Sequence, residues 1–303
     1  MHTISLDRNS AKSARVHQAA TGLNSRDSLP EHTEHLEKIN NYYDSPAVQL
    51  FEQLTGQQIH LGYWDLRYPC VSLAQAARRL TSIIINLLKP GPDSHLLDIG
   101  CGSGTPALEI MQQTGCRVDG ITINYAQQQK AVSAAKQAGL QAKSHFILGD
   151  AAALPYPDDY FDYALLLESI HHIGHEQAIC EASRVLKPGG EILIADALVM
   201  SETGQADYQQ WLSDTFVSES QLNRQDICNT LIMHGFGRLE VIDLSRAIQP
   251  TWTKLKSATR DHKTTITQTH GTEMYQQMLE FWDKIDVIWS QTAQYMMFKA
   301  YRL

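Results

Sequence analysis

The stretch Leu96-Leu97-Asp98-Ile99-Gly100-Cys101-Gly102-Ser103-Gly104 decides the fold. An apolar run carrying a single acid, followed by glycine at alternate positions, reads as a buried strand that turns sharply into a helix. Such a turn lets the backbone lie against a ligand. The start of the next helix offers unpaired N–H groups and a partial positive charge to a carboxylate or phosphate. A nucleotide or amino-acid cofactor is therefore expected here. The dinucleotide fingerprint G-x-G-x-x-G, counted from Gly100, needs glycine at position 105, where this chain has Thr105.

Outward from this turn, short apolar runs alternate with amphipathic stretches, the pattern of βαβ units in a parallel sheet. Strands are expected near His95 to Ile99, Arg117 to Ile123, Ser144 to Leu148, Tyr160 to Leu167, Gly190 to Ala197, Arg238 to Leu244 and Gln294 to Tyr301. The fold class is α/β: a doubly wound, seven-stranded, Rossmann-like sheet with helical caps. Residues 1–30 are polar and without period and read as a flexible arm. Residues 31–90 read as a helical cap that ends at the breaker Lys89-Pro90-Gly91-Pro92, and residues 91–303 as the catalytic core. Within the core, the aromatic insert from about 250 to 290 is too long for a plain connection and reads as a lid.

Composition narrows the function. The 303 residues carry a formal charge of −8, with no basic run, which excludes a phosphate-backbone partner. The five cysteines are scattered, with no C-x-x-C pair, so neither a disulfide framework nor a zinc site is expected. No apolar stretch is long enough to span a membrane, and a soluble cytoplasmic enzyme is the simplest reading. Its oligomeric state is left open.

Three companions follow the glycine turn in order: Gly120-Ile121-Thr122-Ile123-Asn124, Gly149-Asp150-Ala151, and Leu186-Lys187-Pro188-Gly189-Gly190. With Tyr42-Tyr43-Asp44, His60-Leu61-Gly62-Tyr63-Trp64 and Leu167-Glu168-Ser169-Ile170-His171-His172, the chain resembles the class I S-adenosylmethionine-dependent methyltransferases. It looks most like the small-molecule group that includes the rebeccamycin sugar O-methyltransferase and the tocopherol and sterol C-methyltransferases. That resemblance implies S-adenosyl-L-methionine as cofactor, with Asp98, Gly100, Gly102 and Gly104 at its methionine part and Asp150 at the adenine amino group. Ala151 would donate a backbone N–H to the ring. Many of the family carry an acid at the end of the second strand; this chain has Ile123-Asn124, and the ribose falls to Asn124 and Gln127. Tyr43, Gly62 and Tyr63 would close over the cofactor from the N-terminal side.

On the acceptor side, Glu168, His171, His172 and Asp196 are expected at the carboxyl ends of neighbouring strands, where ligands bind in parallel sheets. Histidine titrates near neutrality, so His171 or His172 could take a proton from an acceptor hydroxyl, oriented by Asp196. His171 and His175 stand four apart, but His172 rather than glutamate follows His171, so the zinc-protease motif is missing and no metal is expected. Tyr42, Trp64, Trp211, Trp252 and Trp282 would line a pocket for an apolar small-molecule acceptor. These residues support O-methylation of a lipophilic or glycosylated secondary metabolite. The alternative is C-methylation of a prenyl double bond through a carbocation held by aromatic faces. A third reading, a module that binds the donor without turnover, would leave the polar acceptor-side cluster without a use.

Overall fold

Every residue of β1 (His95–Ile99) is buried, the mark of a central strand in a sheet covered on both faces. Burying Leu96, Leu97 and Ile99 contributes about 1.5–3 kcal/mol each, enough to hold Asp98 among them out of water. The computed structural model describes residues 30–65, 67, 71–199, 210, 211, 214–218 and 223–303. The arm expected over residues 1–30 lies, but for Pro30, outside the described residues.

Among the described residues three helices precede β1: α1 (Pro30–Tyr43), α2 (Pro46–Leu54) and α3 (Leu73–Leu88). A capping box between Ser72 and Gln75 starts α3, and Lys89, left-handed ahead of Pro90, stops it. After β1 come α4 (Thr105–Thr114), β2 (Arg117–Thr122), α5 (Tyr125–Gln137), β3 (Ser144–Leu148), β4 (Phe161–Leu167), α6 (Ile170–Ile173), α7 (His175–Val185) and β5 (Leu186–Val199). The last part holds α8 (Arg224–Met233), β6 (Phe236–Asp243), α9 (Ser245–Ile248), α10 (Pro250–Asp261), α11 (Lys263–Thr292) and β7 (Ala293–Arg302). Gly271, at φ 88°, breaks α11 into two helical pieces.

The seven strands form one sheet in the order β3-β2-β1-β4-β5-β7-β6. The first five run parallel; β7 runs antiparallel between β5 and β6. Side chains alternate between faces, so Leu96, Val118, Leu165 and Leu193 pack beneath α3, α4, α10 and α11, while Leu97, Ile121, Leu166 and Ile194 pack beneath α7 and α8. The chain winds one way from β1 to β3 and the other way from β4, so β1 and β4 flank the switch point where a crevice opens at the strands' carboxyl ends.

The expected α/β class and seven strands are those found. The fifth strand is longer than expected. Its parallel pairing with β4 ends at Leu167↔Ala195, but antiparallel pairing with β7 carries it on to Val199↔Ala293. Asp196 therefore lies inside β5 and not at its end, one residue beyond the last rung shared with β4.

Candidate active site

Two cavities meet at the switch point. The first lies over the glycine turn and is lined by Asp98 of β1 with Gly100, Gly102 and Ser103 after it, Thr122 at the end of β2 with Gln127 of α5, and Gly149, Asp150 and Ala151 after β3. Its roof is one face of α1: His32, Leu36, Ile39 and Tyr43. The second, of about 520 Å³, lies between the caps and the end of β5. Tyr43, Ile59, Glu168 and His172 line both and form the neck between them.

The glycine turn is built for close approach. Gly100 and Gly102 take φ values of 81° and 53°, in the left-handed region that favours glycine. A Cβ on Gly100 would stand 2.4 Å from Ser169 Cβ, so β1 and β4 could not approach as they do. Asp98 is buried with no hydrogen-bond or ion partner among the described residues, and burial pushes its carboxyl up to about 7. A lone buried carboxylate beside helix N–H groups fits the ammonium and carboxylate of an amino-acid ligand. The Gln127 amide oxygen accepts from Thr122 (3.0 Å), leaving its nitrogen as the group with no partner. Asp150 caps the turn Ala151–Ala153 by accepting from Ala152 N–H (2.8 Å), and its other oxygen meets His32 Nε2 at 2.7 Å.

Four donor-side expectations need correction. Gly104 does not line the cavity: a Cβ there would meet Ala131 Cβ at 2.8 Å, so its glycine serves the packing of α4 on α5. Asn124 is turned to other work, capping α5 at Gln127 N–H (2.9 Å) and donating to Asp44 (3.0 Å). Gly62 and Tyr63 also stand apart from it. Gly62 fits against Ala76, where a Cβ would come within 2.6 Å, and Tyr63 N–H donates to Ala76 O (2.9 Å). This segment docks the cap on α3, because an extended backbone beside a helix must find partners for its own N–H groups.

At the second cavity, Asp196 is fully buried and accepts from Ile170 N–H (3.1 Å) and Ala197 N–H (2.7 Å). His171 Nδ1 lies 2.9 Å and 3.0 Å from its two oxygens. A carboxylate only accepts, so Nδ1 carries a proton, and in the neutral ring Nε2 is the bare nitrogen. Burial alone would lower the His171 pKa; the charge and hydrogen bond of Asp196, with the charge of Glu168, outweigh it and leave the pKa raised. His172 is arranged differently. Its Nδ1–H donates to Val217 O (3.1 Å), its Nε2 accepts from the Tyr43 hydroxyl (2.9 Å), and burial with the neighbouring His171 charge holds its pKa well below the usual histidine range. Both its nitrogens are occupied. Glu168, at the neck, takes a left-handed φ of 50° and accepts from Leu61 N–H (2.9 Å) and the Tyr295 hydroxyl (2.8 Å); desolvation pushes its carboxyl up to about 8.

The remaining wall is apolar and comes from both caps. It includes Tyr42, Val48 and Phe51 from the N-terminal helices, Phe216, and Trp252, Met278, Phe281, Trp282 and Trp289 from α10 and α11. Neither Lys nor Arg lines it among the described residues. Trp64 does not reach this cavity: its indole N–H donates to Thr251 (2.8 Å) and fixes the cap to the start of α10. Trp211 stands one layer back, 5.8 Å from the Phe281 ring and beneath Lys284. Among the described residues no three His, Cys, Asp or Glu side chains converge as a metal site would require.

Sequence reasoning named Tyr43 but overlooked the rest of the α1 face, His32, Leu36 and Ile39. His32, Leu36, Ile39 and Tyr43 follow the i, i+4, i+7, i+11 spacing of one helical stripe, a signal present in the sequence.

A donor pocket at a glycine turn, joined through a narrow neck to an apolar pocket with a histidine–carboxylate pair, is the arrangement of a group-transfer enzyme. Residues 97–194 match the family model described as a methyltransferase domain. The chain is 34% identical over 220 residues to 27-O-demethylrifamycin SV methyltransferase of Amycolatopsis mediterranei, covering 72% of this chain and 80% of that one. It is 27% identical over 263 residues to (+)-O-methylkolavelool synthase of Herpetosiphon aurantiacus, covering 86% and 92%. Among solved structures, the [4+2]-cyclase SpnF superposes with a TM-score of 0.73 at 26% identity, over 87% of this chain and 94% of that one. The chain belongs to the class I S-adenosylmethionine-dependent methyltransferases, in the group that acts on small molecules. It is an enzyme that takes its methyl group from S-adenosylmethionine. No helix among the described residues is long and apolar enough to cross a membrane.

Proposed function

We propose that this enzyme methylates a hydroxyl group on a large, mostly apolar secondary metabolite, with His171 as proton acceptor. The observation that carries this reading is the His171–Asp196 pair at the wall of an apolar cavity. Asp196 holds the Nδ1–H tautomer and stabilises the imidazolium, so Nε2 is the basic atom presented to an acceptor. Glu168 lines the same wall with its carboxyl shifted toward the neutral form, and it shapes the neck together with Tyr295.

On the donor side, Asp98 would hold the ammonium of the methionine part and the Gly100–Gly102 backbone its carboxylate. Gln127 would reach the ribose, and Asp150 with Ala151 the adenine edge. When bound, the donor supplies a methyl group already activated on sulfonium sulfur. What the chain adds is alignment of the acceptor oxygen, exclusion of water by α1 and α11, and a place for the departing proton.

A cavity of about 520 Å³ suits a polycyclic or terpenoid skeleton better than a small amine. With no Lys or Arg among the described lining residues, nothing on the wall would neutralise a phosphate, so a free alcohol is favoured over a phosphorylated one. The relatives named for O-methylated products agree with that choice. The net charge of −8 supports an enzyme with no nucleic-acid partner, and the scattered cysteines without a C-x-x-C pair support a cytoplasmic one.

The test is product identification. The enzyme is incubated with methyl-labelled donor and a panel of diterpenoid and polyketide alcohols, and the labelled product is analysed by NMR. A labelled methyl ether is expected; label on carbon at a former double bond would replace this reading with C-methylation.

A further inference from the structure

The outward side of α10 carries a charge opposite to that of the chain as a whole. Between Ser245 and His270 there are five Lys or Arg and a single acid, Asp261, in a protein whose net charge is −8. The helix buries Thr251, Trp252, Leu255 and Thr259, which leaves Thr253, Lys254, Ser257 and Arg260 facing solvent. Of the five cations only Lys256 forms an ion pair among the described residues, with Asp283. Lys254 lies over the Trp64 ring and Lys263 over the Tyr275 ring, each 5.5 Å from the ring centre, and both residues are exposed. Four cations thus stand along one edge of the cap without a carboxylate to hold them.

The same helix walls the acceptor cavity. Trp252 lines it from the buried side of α10, so the apolar wall and the basic face are two sides of one helix. Among the lining residues only Ala47 of α2 and Gln277 of α11 are exposed, which marks the mouth. The basic edge reaches that mouth: Tyr275, beneath Lys263, follows Met274 of the cavity wall. We propose that this face docks the enzyme on an anionic lipid surface and sets the mouth of the cavity beside the bilayer in which a large apolar acceptor dissolves. Each Lys or Arg close to such a surface contributes about fivefold to partitioning, so four unpaired ones give reversible docking. The acidic remainder of the chain is repelled by the same surface, which fixes the side that faces it. Thr253 and Ser257, between Lys254 and Arg260, offer no apolar anchor of the kind a protein interface is built around, whereas a lipid surface needs only the charge.

This inference rests on the apolar-acceptor reading above for its purpose, but its test needs neither acceptor nor turnover, so either can fail alone. The full chain is floated with vesicles of phosphatidylcholine, with and without about one third phosphatidylglycerol, at about 0.1 M and about 0.5 M salt. Binding is expected only with the anionic vesicles and only at the lower salt. Lys254→Gln, Arg260→Gln and Lys263→Gln together should weaken it roughly a hundredfold. The same change at Arg117, Lys136 and Lys143, exposed at the opposite end of the sheet, should leave it as it was. Unaltered S-adenosylhomocysteine affinity in both triple variants shows that each is folded, and the lipid and salt dependence of the unaltered chain needs no variant at all. Absence of flotation with anionic vesicles overturns the proposal. So does equal flotation with pure phosphatidylcholine, or an equal loss from the two triple variants. Binding to soluble polyglutamate as tight as to the vesicles would make the face a site for an acidic protein and overturn the lipid assignment.

Discussion

The floor of the donor cavity is made of backbone turns and short side chains that follow β1, β2 and β3, within one contiguous stretch of chain, while its roof and neck come from α1, residues 57–60 and the end of β4. The acceptor cavity is lined by bulky side chains from α1, α2, α10 and α11, elements separated by most of the sequence, and meets the sheet at the Asp196–Leu198 run of β5 and at Ala293 of β7, with Glu168, His171 and His172 just beyond β4. Its chemistry therefore sits on a rigid edge while its shape is set by packing between caps. The floor of the first cavity is a local property of a motif. The second is a property of the folded whole, and the two should fail differently when altered.

The largest effect is expected at the rigid edge of the acceptor cavity. His171→Ala should lower kcat by roughly a hundred- to ten-thousand-fold while leaving S-adenosylhomocysteine affinity nearly unchanged. A base must be neutral to act, so wild-type activity should fall as pH drops through the raised His171 pKa, and the variant should lose that acid limb. A loss of less than about threefold would leave positioning alone as the source of catalysis.

The second separation is between two glycines of one turn. A side chain at Gly102 would meet only Ile59 Cδ1 at 3.5 Å, whereas one at Gly100 would run into Ser169 at 2.4 Å. Gly102→Val should thus fold, at a backbone cost of about 1–2 kcal/mol, yet lose S-adenosylhomocysteine binding by a hundredfold or more, on the order of 3 kcal/mol. Gly100→Val should show its damage first in Tm. Equal melting temperatures for the two would contradict the crowding described at β4.

Those glycines were legible because a parallel strand buried on both faces must be a nearly continuous apolar run, and a turn at its end needs positive φ. The same logic exposed all seven strands. It failed where pairing is remote: nothing between Gly190 and Ala197 announces that β7 will extend β5 past Asp196. Gly62, Tyr63 and Trp64 were assigned by resemblance to neighbouring motifs, whereas their contacts, to Ala76, Ala247 and Thr251, depend on how the cap docks. The two adjacent histidines look equivalent in sequence. Only the Val217 carbonyl and the Tyr43 hydroxyl, 45 and 129 residues away, distinguish the occupied ring from the available one.

A smaller effect should appear in the pH dependence of donor binding. Asp98 without ligand holds its proton up to about pH 7, and binding an ammonium requires that proton to leave. Affinity for S-adenosylhomocysteine should therefore be level above about pH 7 and fall by up to tenfold per unit below it, a limb that Asp98→Asn abolishes along with most of the affinity. Calorimetry across that range measures it directly.

The smallest expected effect is on the packed wall. Phe281 lines the acceptor cavity while only partly buried, so Phe281→Ala should raise the acceptor KM by about three- to thirtyfold, roughly 1–2 kcal/mol, with little change in donor affinity. Trp252, stacked on Trp282 and edge-on to Trp289, is core and wall at once, and Trp252→Ala should lower Tm as well as acceptor affinity. A stable Trp252→Ala protein with unchanged kinetics would remove it from the pocket.

The helical insert between β6 and β7 leaves the sheet and returns to it at one place. Asp243, the last residue of β6, is paired with Met296 of β7, and the Leu244 N–H donates to Tyr295 O at 2.8 Å. Nearly fifty residues of mostly helical chain thus leave and rejoin the sheet at adjacent strands, and are otherwise held by packing on the core and by the Thr251 bonds to Gly62 and Trp64. Such an insertion is an exchangeable cassette. Replacing residues 245–292 with the corresponding stretch of a relative would bring a new set of aromatic side chains to the acceptor and leave the His171–Asp196 pair in place, provided the new helices cover the same apolar face of the sheet at Leu96 and Leu165. In this fold, acceptor preference can change by substitution of a whole piece, without passing through sequences that have lost the donor.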